Sequence, residues 1–475
     1  MSIKINPLNA IDFYKADHRR QYPVGTEYVY ANFTPRSSRL AKMLPDFDDK
    51  IVFFGLQGFI KHFLIETWNE GFFNQPKAKV VAAYKRRMDN SLGESAVPVE
   101  HIEALHDLGY LPLKIKALPE GSRVNIKVPV LTIINPDPNF FWLTNYLETV
   151  LSAELWKSCT TASIAYEYKR LLTQYAEKTG APLDFVAVQG HDFSSRGMSG
   201  IYDAAQSGVG HLTSFIGTDS VASIDYAEEY YNATGVVGVS VPATEHSVMT
   251  ACGAEGEADL VQNLLEKHPS GILSVVGDSY DIEHFTRHLV GERFRDCILS
   301  RDGVFVLRPD SGDPVEVSGR LLDILEELVG CSLNSKGYKV LPPQLRMLWG
   351  DGLVLDTVEK FLEAAKNKGW SSENFVFGMG GGLLQRINRD NQCFAMKCSA
   401  QKRNGVWHDV WKRSAGGKAS KAGKLGLEHA ADGSWTTFRL DEPGHEDILQ
   451  TVFENGVLVR EETFEQIRER AARFV

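Results

Sequence analysis

Short apolar runs recur between about residues 184 and 385, and each run ends abruptly in Gly or Pro followed by polar residues. Seven runs follow this pattern, and the residues after them are His191-Asp192-Phe193, Thr218-Asp219, Glu245-His246, Asp278-Ser279, Asp310-Ser311, Asp351 and Met379-Gly380-Gly381-Gly382. Apolar runs of this length bounded by turn residues are typical of buried strands. The repeated pattern predicts strands that carry functional loops at their carboxyl ends.

The intervals between the runs follow the period of amphipathic helices. One interval has the i, i+3, i+4, i+7 spacing of a single buried face at Leu321, Ile324, Leu325 and Leu328. Asp313-Pro314 precedes it as an N-terminal cap, and Gly330 follows as a stop signal. A second helix is predicted to begin at Asp356, with Glu359 completing a capping-box-like pair. Its predicted buried positions are Val358, Phe361, Leu362 and Ala365.

This alternation of strand and helix predicts parallel strands joined by right-handed crossovers. Either a (β/α) barrel or an open doubly wound sheet satisfies it. Because polar residues gather at the carboxyl end of every strand, both folds place one active site at one face of the sheet.

The flanking regions read differently, since TEYVYANF, SRVNIKVPVLTII, CFAMKCSA and WTTFRL are typical of antiparallel strands. We therefore expect an α/β barrel catalytic domain over residues 146–385. Residues 1–145 and 386–475 would together form a second, β-rich α+β domain beside it. Within the second segment, Lys412-Arg413 through Lys424 is rich in Lys, Gly, Ser and Ala, a composition typical of a mobile basic loop.

Composition narrows the class of protein. A chain of 475 residues exceeds the usual size of one hydrophobic core, which favours two domains. The net charge of -10 argues against binding nucleic acid or anionic membrane through the overall electrostatic field of the protein.

The sequence also bears on the location of the protein. The first residues carry charge where a signal peptide needs an apolar core, and no run approaches the roughly 20 apolar residues of a membrane span. We therefore expect a cytoplasmic protein. The cysteines lack CxxC pairs, which favours small, buried, reduced thiols.

Five of the predicted loops offer a carboxylate, at Asp192, Asp219, Asp278, Asp310 and Asp351. Carboxylates near phosphate-binding glycines suit a substrate made of magnesium, phosphate and sugar, whereas zinc would prefer His and Cys. Magnesium would then arrive with the substrate. For any single Asp the alternative is a helix N-cap.

Phosphate-binding groups also follow the strands. The run Gly378 to Gly382 could cradle a monophosphate with bare backbone amides, supported by Arg389, or it could be a plain flexible turn. Arg308 and Arg196 could grip phosphate or stack on a planar ring, or could be solvated or paired with a carboxylate. His246 could be a base, a phosphate ligand or a phosphoryl acceptor, or a structural hydrogen-bond donor.

Taken together, these segments closely resemble the nicotinamide phosphoribosyltransferases, a family of type II phosphoribosyltransferases. The likeness lies in TDSVAS at 218, SVPATEHS at 240, DSYD at 278, RPDSGDP at 308, NSKGYKVLPPQLR at 334, GDG at 350 and FGMGGGLLQ at 377. It extends to IDFYKADHRRQYP near the start, FWLTNYLETVL at 141 and DILQTVFENG near the end, and so spans nearly the whole chain.

The resemblance implies a pentosyltransferase of NAD salvage that condenses nicotinamide with 5-phosphoribosyl 1-pyrophosphate to nicotinamide mononucleotide and pyrophosphate. It implies the type II phosphoribosyltransferase barrel, Mg²⁺, and a homodimer whose active sites lie at the interface. ATP would act as an activating co-substrate, with His246 as phosphoryl acceptor and Glu245 as its orienting neighbour. On this resemblance we expect neither nucleic acid nor a membrane as a partner.

The resemblance also assigns roles to individual residues. The pyridine ring would lie between Phe193 and Tyr14 of the partner subunit, and Asp219 would accept a hydrogen bond from the carboxamide. Arg308 would lie near the ring and the phosphates. Arg196 and His246 would approach the pyrophosphate.

Further roles concern the sugar, its phosphate and the metal. The ribose hydroxyls would be held by Asp310, Gly350 and Asp351, and the 5′-phosphate by Gly381 and Arg389. Basic residues that reach pyrophosphate from the neighbouring subunit would be Arg36, Lys397, Lys412 and Lys418. Asp278 and Asp310 would contact magnesium. Catalysis would depend on His246, Asp219, Arg308 and Asp310.

Three other functions remain open on the sequence. Transfer to nicotinate or quinolinate predicts a cation where Asp219 stands. An aldolase-like barrel enzyme requires a Schiff-base lysine at a strand end, and none of the seven ends carries one. An inactive binding or signalling protein could keep the fold, although the intact His246, Asp219 and Arg308 favour an enzyme.

Overall fold

The computed structural model describes residues 6–44, 46–412, 421–431 and 433–473. Within these residues lie nineteen β-strands, named β1 to β19 in chain order. They are Thr26–Thr34, Lys50–Val52, Lys114–Ala117, Arg123–Asn125, Leu131–Ile134, Gly190–Asp192, Gly217–Thr218, Ser270–Val276, Asp302–Arg308, Ser332–Leu333, Lys339–Val340, Leu345–Trp349, Phe375–Met379, Ala395–Arg403, Val406–Asp409, Leu425–His429, Trp435–Arg439, Gln450–Glu454 and Val457–Leu458.

The longer α-helices, α1 to α9, are Lys77–Leu92, Glu100–Leu108, Glu148–Thr179, Ile201–Leu212, Val221–Tyr231, Gly253–Lys267, Pro314–Leu328, Leu355–Asn367 and Phe464–Ala472. Shorter α-helical segments are His18–Gln21, Leu56–Phe59, Leu143–Tyr146, Val186–Gln189, His246–Thr250, Ile282–His284 and Arg295–Leu299. Segments of the wider π type are Ile60–Thr67, Asn69–Phe73, Phe285–Arg293 and Gly381–Gln385. None of the described helices is both long enough and apolar enough to cross a membrane.

A six-stranded parallel sheet forms the centre of the α/β region, in the order β7-β6-β13-β12-β9-β8. The predicted parallel α/β fold is therefore confirmed. Segment 237–244 hydrogen-bonds to both outer strands of this sheet. At the β7 edge Val239 N donates to Ile216 O at 2.7 Å, and at the β8 edge Thr244 N donates to Ser274 O at 3.0 Å.

The first three of the seven apolar runs differ from the prediction. FVAVQG forms the helical segment Val186–Gln189, and only Gly190–Asp192 is a strand. LTSFIG contributes only Gly217 to the two-residue strand β7, and VVGVSVP makes one isolated bridge, from Val239 to Gly217. Short buried apolar runs suit a helical turn as well as a strand, so periodicity alone does not separate them. The last four runs are strands β8, β9, β12 and β13 as predicted.

Helix α7 begins where the sequence predicts. Asp313 Oδ1 accepts hydrogen bonds from the backbone N–H groups of Val315 and Glu316, both at 2.9 Å. These bonds satisfy amides that have no partner within the helix, so the predicted cap is confirmed. The predicted face is buried at Leu321, Ile324 and Leu325 and partly buried at Leu328.

Helix α8 buries its predicted face, at Val358, Phe361, Leu362 and Ala365. Its predicted capping box is wrong. The helix begins at Leu355 after Val354, which makes no side-chain cap hydrogen bond. Asp356 already lies inside the helix and pairs with Lys360 at 2.7 Å, one turn later. Such an i, i+4 ion pair is the alternative use of a carboxylate in a first turn.

A second sheet has seven strands in the order β15-β14-β1-β5-β3-β18-β19, and all its pairs are antiparallel. Strand β1, from the beginning of the chain, pairs with β14, from its last quarter. The predicted antiparallel pairing of the flanking regions is therefore confirmed. Each sheet has its own cluster of buried side chains, with Phe305 and Phe377 in one and Phe33 and Phe453 in the other.

The interpretation of the cysteines as buried residues holds for only some of them. Cys159 is buried, and Cys393 and Cys398 are partly exposed. The remaining three, Cys252, Cys297 and Cys331, are exposed and lie on or beside helices at the surface. Burial preference by residue type is a statistical tendency and does not decide individual positions.

Candidate active site

The parallel sheet encloses a cavity of about 280 Å³. Its walls are mainly apolar, and the strands contribute Ile272, Val304, Val306, Leu348 and Val376. Polar groups enter at the carboxyl ends of the strands, where Phe193, Asp219 and Arg308 line the cavity. An apolar pocket with a few convergent polar groups is the usual form of a small-molecule site.

Phe193 provides an aromatic face at this end of the cavity. The guanidinium carbon of Arg308 lies 5.1 Å from the centre of its ring, and the His191 ring meets it edge-on at 5.2 Å between centroids. A flat aromatic ligand could stack in this environment, which offers one ring face and one delocalised cation.

Asp219 follows β7 and is held by two side chains from neighbouring strands. His191 Nε2 lies 3.0 Å from Asp219 Oδ1, and Ser240 Oγ donates to the same oxygen at 2.6 Å. Partial burial would by itself raise the pKa of this carboxyl group. The hydrogen bonds from His191 and Ser240, with the nearby charge of Arg308, outweigh burial and leave the pKa below its usual value. Asp219 is therefore a carboxylate at neutral pH.

Asp192, also a candidate from the sequence, has a different environment. Its side chain is fully buried and accepts hydrogen bonds from Ser194 N and Ser220 Oγ, both at 2.8 Å. Asp192 therefore shapes the loop that carries Phe193 and does not line the cavity.

Arg308 and Asp310 form a partly buried ion pair, with Arg308 Nη2 donating to Asp310 Oδ1 at 3.0 Å. Gly350, at the end of the neighbouring strand, packs directly against this pair. A Cβ atom at Gly350 would lie 2.5 Å from Asp310 Oδ1 and 3.0 Å from Arg308 Nε. Only glycine leaves room for the pair, so the three predicted site residues are brought together by packing.

Asp278 joins two of the predicted loops. Its Oδ1 lies 3.1 Å from His246 Nε2, and its Oδ2 accepts from the backbone N–H of Asp310 at 3.0 Å and from the Ser311 hydroxyl. The Asp278 side chain is 4% exposed, whereas His246 is 48% exposed. The buried carboxylate thus orients an accessible imidazole beside the Arg308–Asp310 pair.

The glycine run spans the end of β13 and the start of the next segment. Gly378 belongs to β13, and Gly381 and Gly382 belong to the five-residue segment Gly381–Gln385. Arg389 lies in the short 3₁₀ helix Arg389–Asn391, is exposed, and is 3.5 Å from Asp390. The Arg389 side chain is accessible to a phosphate.

Arg196 and Asp351 are both exposed at strand ends. Arg196 lies in the 3₁₀ helix Ser195–Gly197, after β6. The backbone carbonyl of Asp351 accepts a hydrogen bond from the Trp349 indole at 2.7 Å, which fixes the turn after β12.

Of the predicted site residues that the structure describes, Phe193, Asp219 and Arg308 line the cavity and the others do not. Tyr14 is 61% exposed and donates to Asp12 at 3.1 Å. Arg36 donates to the carbonyl of Cys393 at 3.2 Å, and Lys397 lies 3.6 Å from Glu148. Lys412 is described and lies next to residues 413–420, which are not. Lys418 falls outside the described residues.

Sequence reasoning missed four polar residues of the cavity, His191, Ser240, Ser274 and Arg346. Ser240 stands in SVPATEHS and Arg346 in NSKGYKVLPPQLR, and His191 follows an apolar run. Nothing in the spacing indicates that His191 and Ser240 both contact Asp219. Arg346 lies at the far end, where its Nη1 donates to backbone carbonyls that include Pro342 at 2.9 Å. Its position within β12 is the only signal that it faces the interior.

Comparison with known proteins places these residues in a family. The model of the nicotinate phosphoribosyltransferase (NAPRTase) family matches residues 188–457, and the model of the nicotinamide phosphoribosyltransferase N-terminal domain matches residues 6–115.

Relatives match over the full length. A nicotinamide phosphoribosyltransferase of Acinetobacter baylyi is 58% identical over 497 residues, covering 99% of this chain and 98% of that protein. Another, of Xanthomonas campestris, is 37% identical and covers 98% of each. The fold resembles that of nicotinate-nucleotide pyrophosphorylase from Pyrococcus furiosus, with a TM-score of 0.63 at 15% identity, covering 100% of this chain and 96% of that one. The chain belongs to the nicotinamide phosphoribosyltransferase family.

Proposed function

We propose that this protein condenses nicotinamide with 5-phosphoribosyl 1-pyrophosphate to form nicotinamide mononucleotide and pyrophosphate. The observation that carries the proposal is the Asp219 carboxylate on the wall of an apolar cavity, beside the Phe193 ring. The names of the two relatives support the same activity.

The choice of substrate follows from the charge of Asp219. A carboxylate accepts hydrogen bonds and cannot donate them, so it suits the N–H groups of a carboxamide. The carboxylate of nicotinate or quinolinate would meet a like charge in a largely apolar cavity, where such repulsion is poorly screened. Those rival substrates would need a cation where Asp219 stands.

The chemistry requires no general base. The pyridine nitrogen of nicotinamide already has a free lone pair, so the protein needs only to position the ring against C1 of the ribose and stabilise charge. Phe193 would set the plane of the ring, and Arg308 would lie between ring and phosphates. Asp310, Gly350 and Asp351 would hold the ribose hydroxyls while the C1–oxygen bond to pyrophosphate breaks and the C1–nitrogen bond forms.

The phosphate groups would meet the accessible cations. Arg196 and His246 would contact the departing pyrophosphate, and Gly381 with Arg389 would hold the 5′-phosphate. Arg196 follows β6, Arg389 lies in the 3₁₀ helix Arg389–Asn391, and both side chains are exposed, which supports these roles.

Magnesium fits this site as a companion of the substrate. Among the described residues no group of three or more His, Cys, Asp or Glu side chains could hold a metal ion. Mg²⁺ commonly uses one or two carboxylates together with substrate phosphates. Asp310 and Asp278 would contact the ion here. Both carboxylate oxygens of Asp278 also accept hydrogen bonds from the protein. When bound, the ion would offset the negative charge of pyrophosphate.

ATP coupling through a phosphohistidine is supported by the setting of His246. A carboxylate only accepts hydrogen bonds, so the contact with Asp278 requires the proton on Nε2. In the neutral ring the lone pair then lies on Nδ1, which makes no hydrogen bond to the described residues. This nitrogen on a half-exposed ring would receive the phosphoryl group, and Glu245 precedes it as its orienting neighbour.

A homodimer would complete the site. The cavity offers the Phe193 ring on one side, and a second aromatic face is expected from Tyr14 of the partner subunit. Phe13 and Tyr14 are 47% and 61% exposed. Exposure of two adjacent aromatic side chains is unfavourable in water and favours an interface with another chain. Arg36, Lys397, Lys412 and Lys418 would reach the pyrophosphate across the same interface.

We further propose that the parallel sheet is a closed (β/α) barrel of the type II phosphoribosyltransferase kind. Its support is the pair of hydrogen-bonded contacts that segment 237–244 makes to β7 and β8. Residues 146–385 would form the catalytic domain. Residues 1–145 with 386–475 would form the second domain, supported by the antiparallel sheet that joins both ends of the chain.

One assay tests the activity. Purified protein with magnesium and phosphoribosyl pyrophosphate would be offered nicotinamide or nicotinate in parallel, and the mononucleotides separated by chromatography. We expect a strong preference for nicotinamide, and Asp219→Ser should reduce it. Equal or greater turnover of nicotinate by the unmodified protein would overturn the proposal.

A further inference from the structure

Three side chains, one from β6, one after β7 and one from segment 237–244, meet where Asp219 enters the cavity. His191 lies on β6, Asp219 follows β7, and Ser240 follows Val239, which bridges to β7. His191 Nε2 at 3.0 Å and Ser240 Oγ at 2.6 Å both contact Oδ1 of Asp219. The other carboxylate oxygen, Oδ2, makes no hydrogen bond to the described residues.

We propose that His191 and Ser240 are positioning residues that hold Asp219 by one oxygen and leave Oδ2 to accept the amide N–H of the substrate. This clamp, the hydrogen-bonded set His191, Asp219 and Ser240, determines the preference for a carboxamide over a carboxylate. The inference rests on the proposed function and adds the residues that set its specificity.

The imidazole of His191 is buried and confined by its neighbours. The His191 side chain is 10% exposed and meets the Phe193 ring edge-on. On its other side lies Gly217, where a Cβ atom would come within 2.7 Å of His191 Nδ1. The ring is confined and a carboxylate only accepts hydrogen bonds, so Nε2 of His191 carries its proton and donates a hydrogen bond to Asp219.

The clamp also keeps Asp219 charged in a partly buried position. Burial by itself would raise the pKa of this group, and the bonds from His191 and Ser240 lower it below the usual value. Arg308 adds a favourable charge, while the other carboxylate near His191, Asp192, is occupied by its own loop. A charged Asp219 with one oxygen fixed attracts an N–H donor and repels an anion.

The histidine carries the larger share of this effect, because it restrains the carboxylate from a buried ring. Ser240 is exposed at the cavity wall and rotates about a single bond. His191→Phe keeps a flat ring against Phe193 and removes the donor. His191→Gln keeps a neutral N–H donor at a similar reach.

The test measures kcat and KM for nicotinamide and for nicotinate in His191→Phe, His191→Gln and Ser240→Ala. We expect His191→Phe to raise the KM for nicotinamide and to lower the nicotinamide-to-nicotinate ratio of kcat/KM by about tenfold, the size of one hydrogen bond to a charged group. The KM for phosphoribosyl pyrophosphate should stay unchanged. His191→Gln should retain most of the ratio, and Ser240→Ala should lose less than His191→Phe.

Ser371→Ala is the matched control. Ser371 Oγ donates to a carboxylate of Glu373 at 3.1 Å and does not line the cavity, so its loss should leave both substrate ratios unchanged. If His191→Phe lowers the melting temperature sharply, the nicotinamide-to-nicotinate ratio of kcat/KM in Ser240→Ala is the test instead.

The outcomes separate the two proposals. Preference of the unmodified protein for nicotinate would contradict the proposed function. Preference for nicotinamide that persists unchanged in both His191→Phe and Ser240→Ala would overturn the clamp alone. An equal loss in His191→Gln and His191→Phe would also overturn it, because the donor at Nε2 would then be irrelevant.

Discussion

Asp278 Oδ1 lies 3.1 Å from His246 Nε2, and the same buried carboxylate accepts from the backbone of Asp310 through Oδ2. One side chain therefore connects the exposed histidine to the loop that carries the Arg308–Asp310 pair. A change in charge at His246 would be felt at that loop through a single carboxylate in a poorly screened environment. This connection would give the proposed ATP coupling a physical route.

We predict that His246→Ala abolishes stimulation by ATP while leaving slow, ATP-independent formation of nicotinamide mononucleotide. Asp278→Asn should weaken the stimulation and also raise the KM for phosphoribosyl pyrophosphate, because it disturbs the Asp310 loop. Initial rates with and without ATP measure both effects. His288→Ala, which removes an exposed histidine 2.8 Å from Glu292, is the control. Undiminished ATP stimulation in His246→Ala would remove this residue from the coupling.

Gly350→Ala should damage the site without unfolding the protein. The added methyl group would lie 2.5 Å from Asp310 Oδ1, so the Arg308–Asp310 pair must move. We expect kcat/KM for phosphoribosyl pyrophosphate to fall by about tenfold or more, since misplacement of a positioning group by 1 Å can cost about a hundredfold. Gly235→Ala, where the nearest atom would be 3.4 Å away, should retain activity. Wild-type kinetics in Gly350→Ala would show that the pair need not occupy its present position.

The dimer proposal predicts complementation between two inactive variants. Tyr14→Ala would damage the site of its partner, whereas Asp219→Ala would damage its own. If subunits reassociate at random, half of the dimers in an equal mixture are hybrids with one intact site each, so about a quarter of wild-type activity should return. The mixture is unfolded, refolded together and assayed, with each variant treated alone as control. Absence of recovery would place both residues in the same subunit's site.

Glu120 should make stability depend on pH, although it lies outside the cavity. Its carboxyl group is fully buried and accepts from the backbone N–H groups of Gly55 and Gln57, and burial raises its pKa to about 7. The folded state therefore binds a proton more tightly than the unfolded chain, whose value is near 4.5. Stability from this group is fully present below about pH 4.5 and is lost as pH rises through about 7, by an amount on the order of 3 kcal/mol.

Denaturant unfolding of Glu120→Gln and the unmodified protein between about pH 4.5 and pH 8 measures this effect. Glutamine does not titrate, so the variant should gain stability relative to the unmodified protein as pH rises. A difference in the free energy of unfolding that is constant with pH would contradict the raised pKa. Glu327→Gln, at an exposed surface pair, serves as the control.

The candidate site could be predicted in part because its residues follow strands that end together. Phe193, Asp219, Asp310 and Asp351 follow apolar runs, and Arg308 ends strand β9. Chain connectivity alone places such residues at one face of a parallel sheet. What spacing could not reveal is which of two similar carboxylates enters the cavity. The Asp192 carboxylate accepts hydrogen bonds from Ser194 and Ser220, whereas Asp219 lies on the wall of the cavity.

By itself the sequence determined the alternation of β8, β9, β12 and β13 with α7 and α8, because periodicity and capping act over a few neighbouring residues. It also determined the antiparallel character of the chain ends. Only the tertiary structure decided that FVAVQG forms a helical turn, that Asp356 lies inside its helix, and that segment 237–244 bonds to both edges of the sheet. The contacts of His191 with Asp219 and of His246 with Asp278 join residues 28 and 32 positions apart, and such pairings arise from packing that no local pattern encodes.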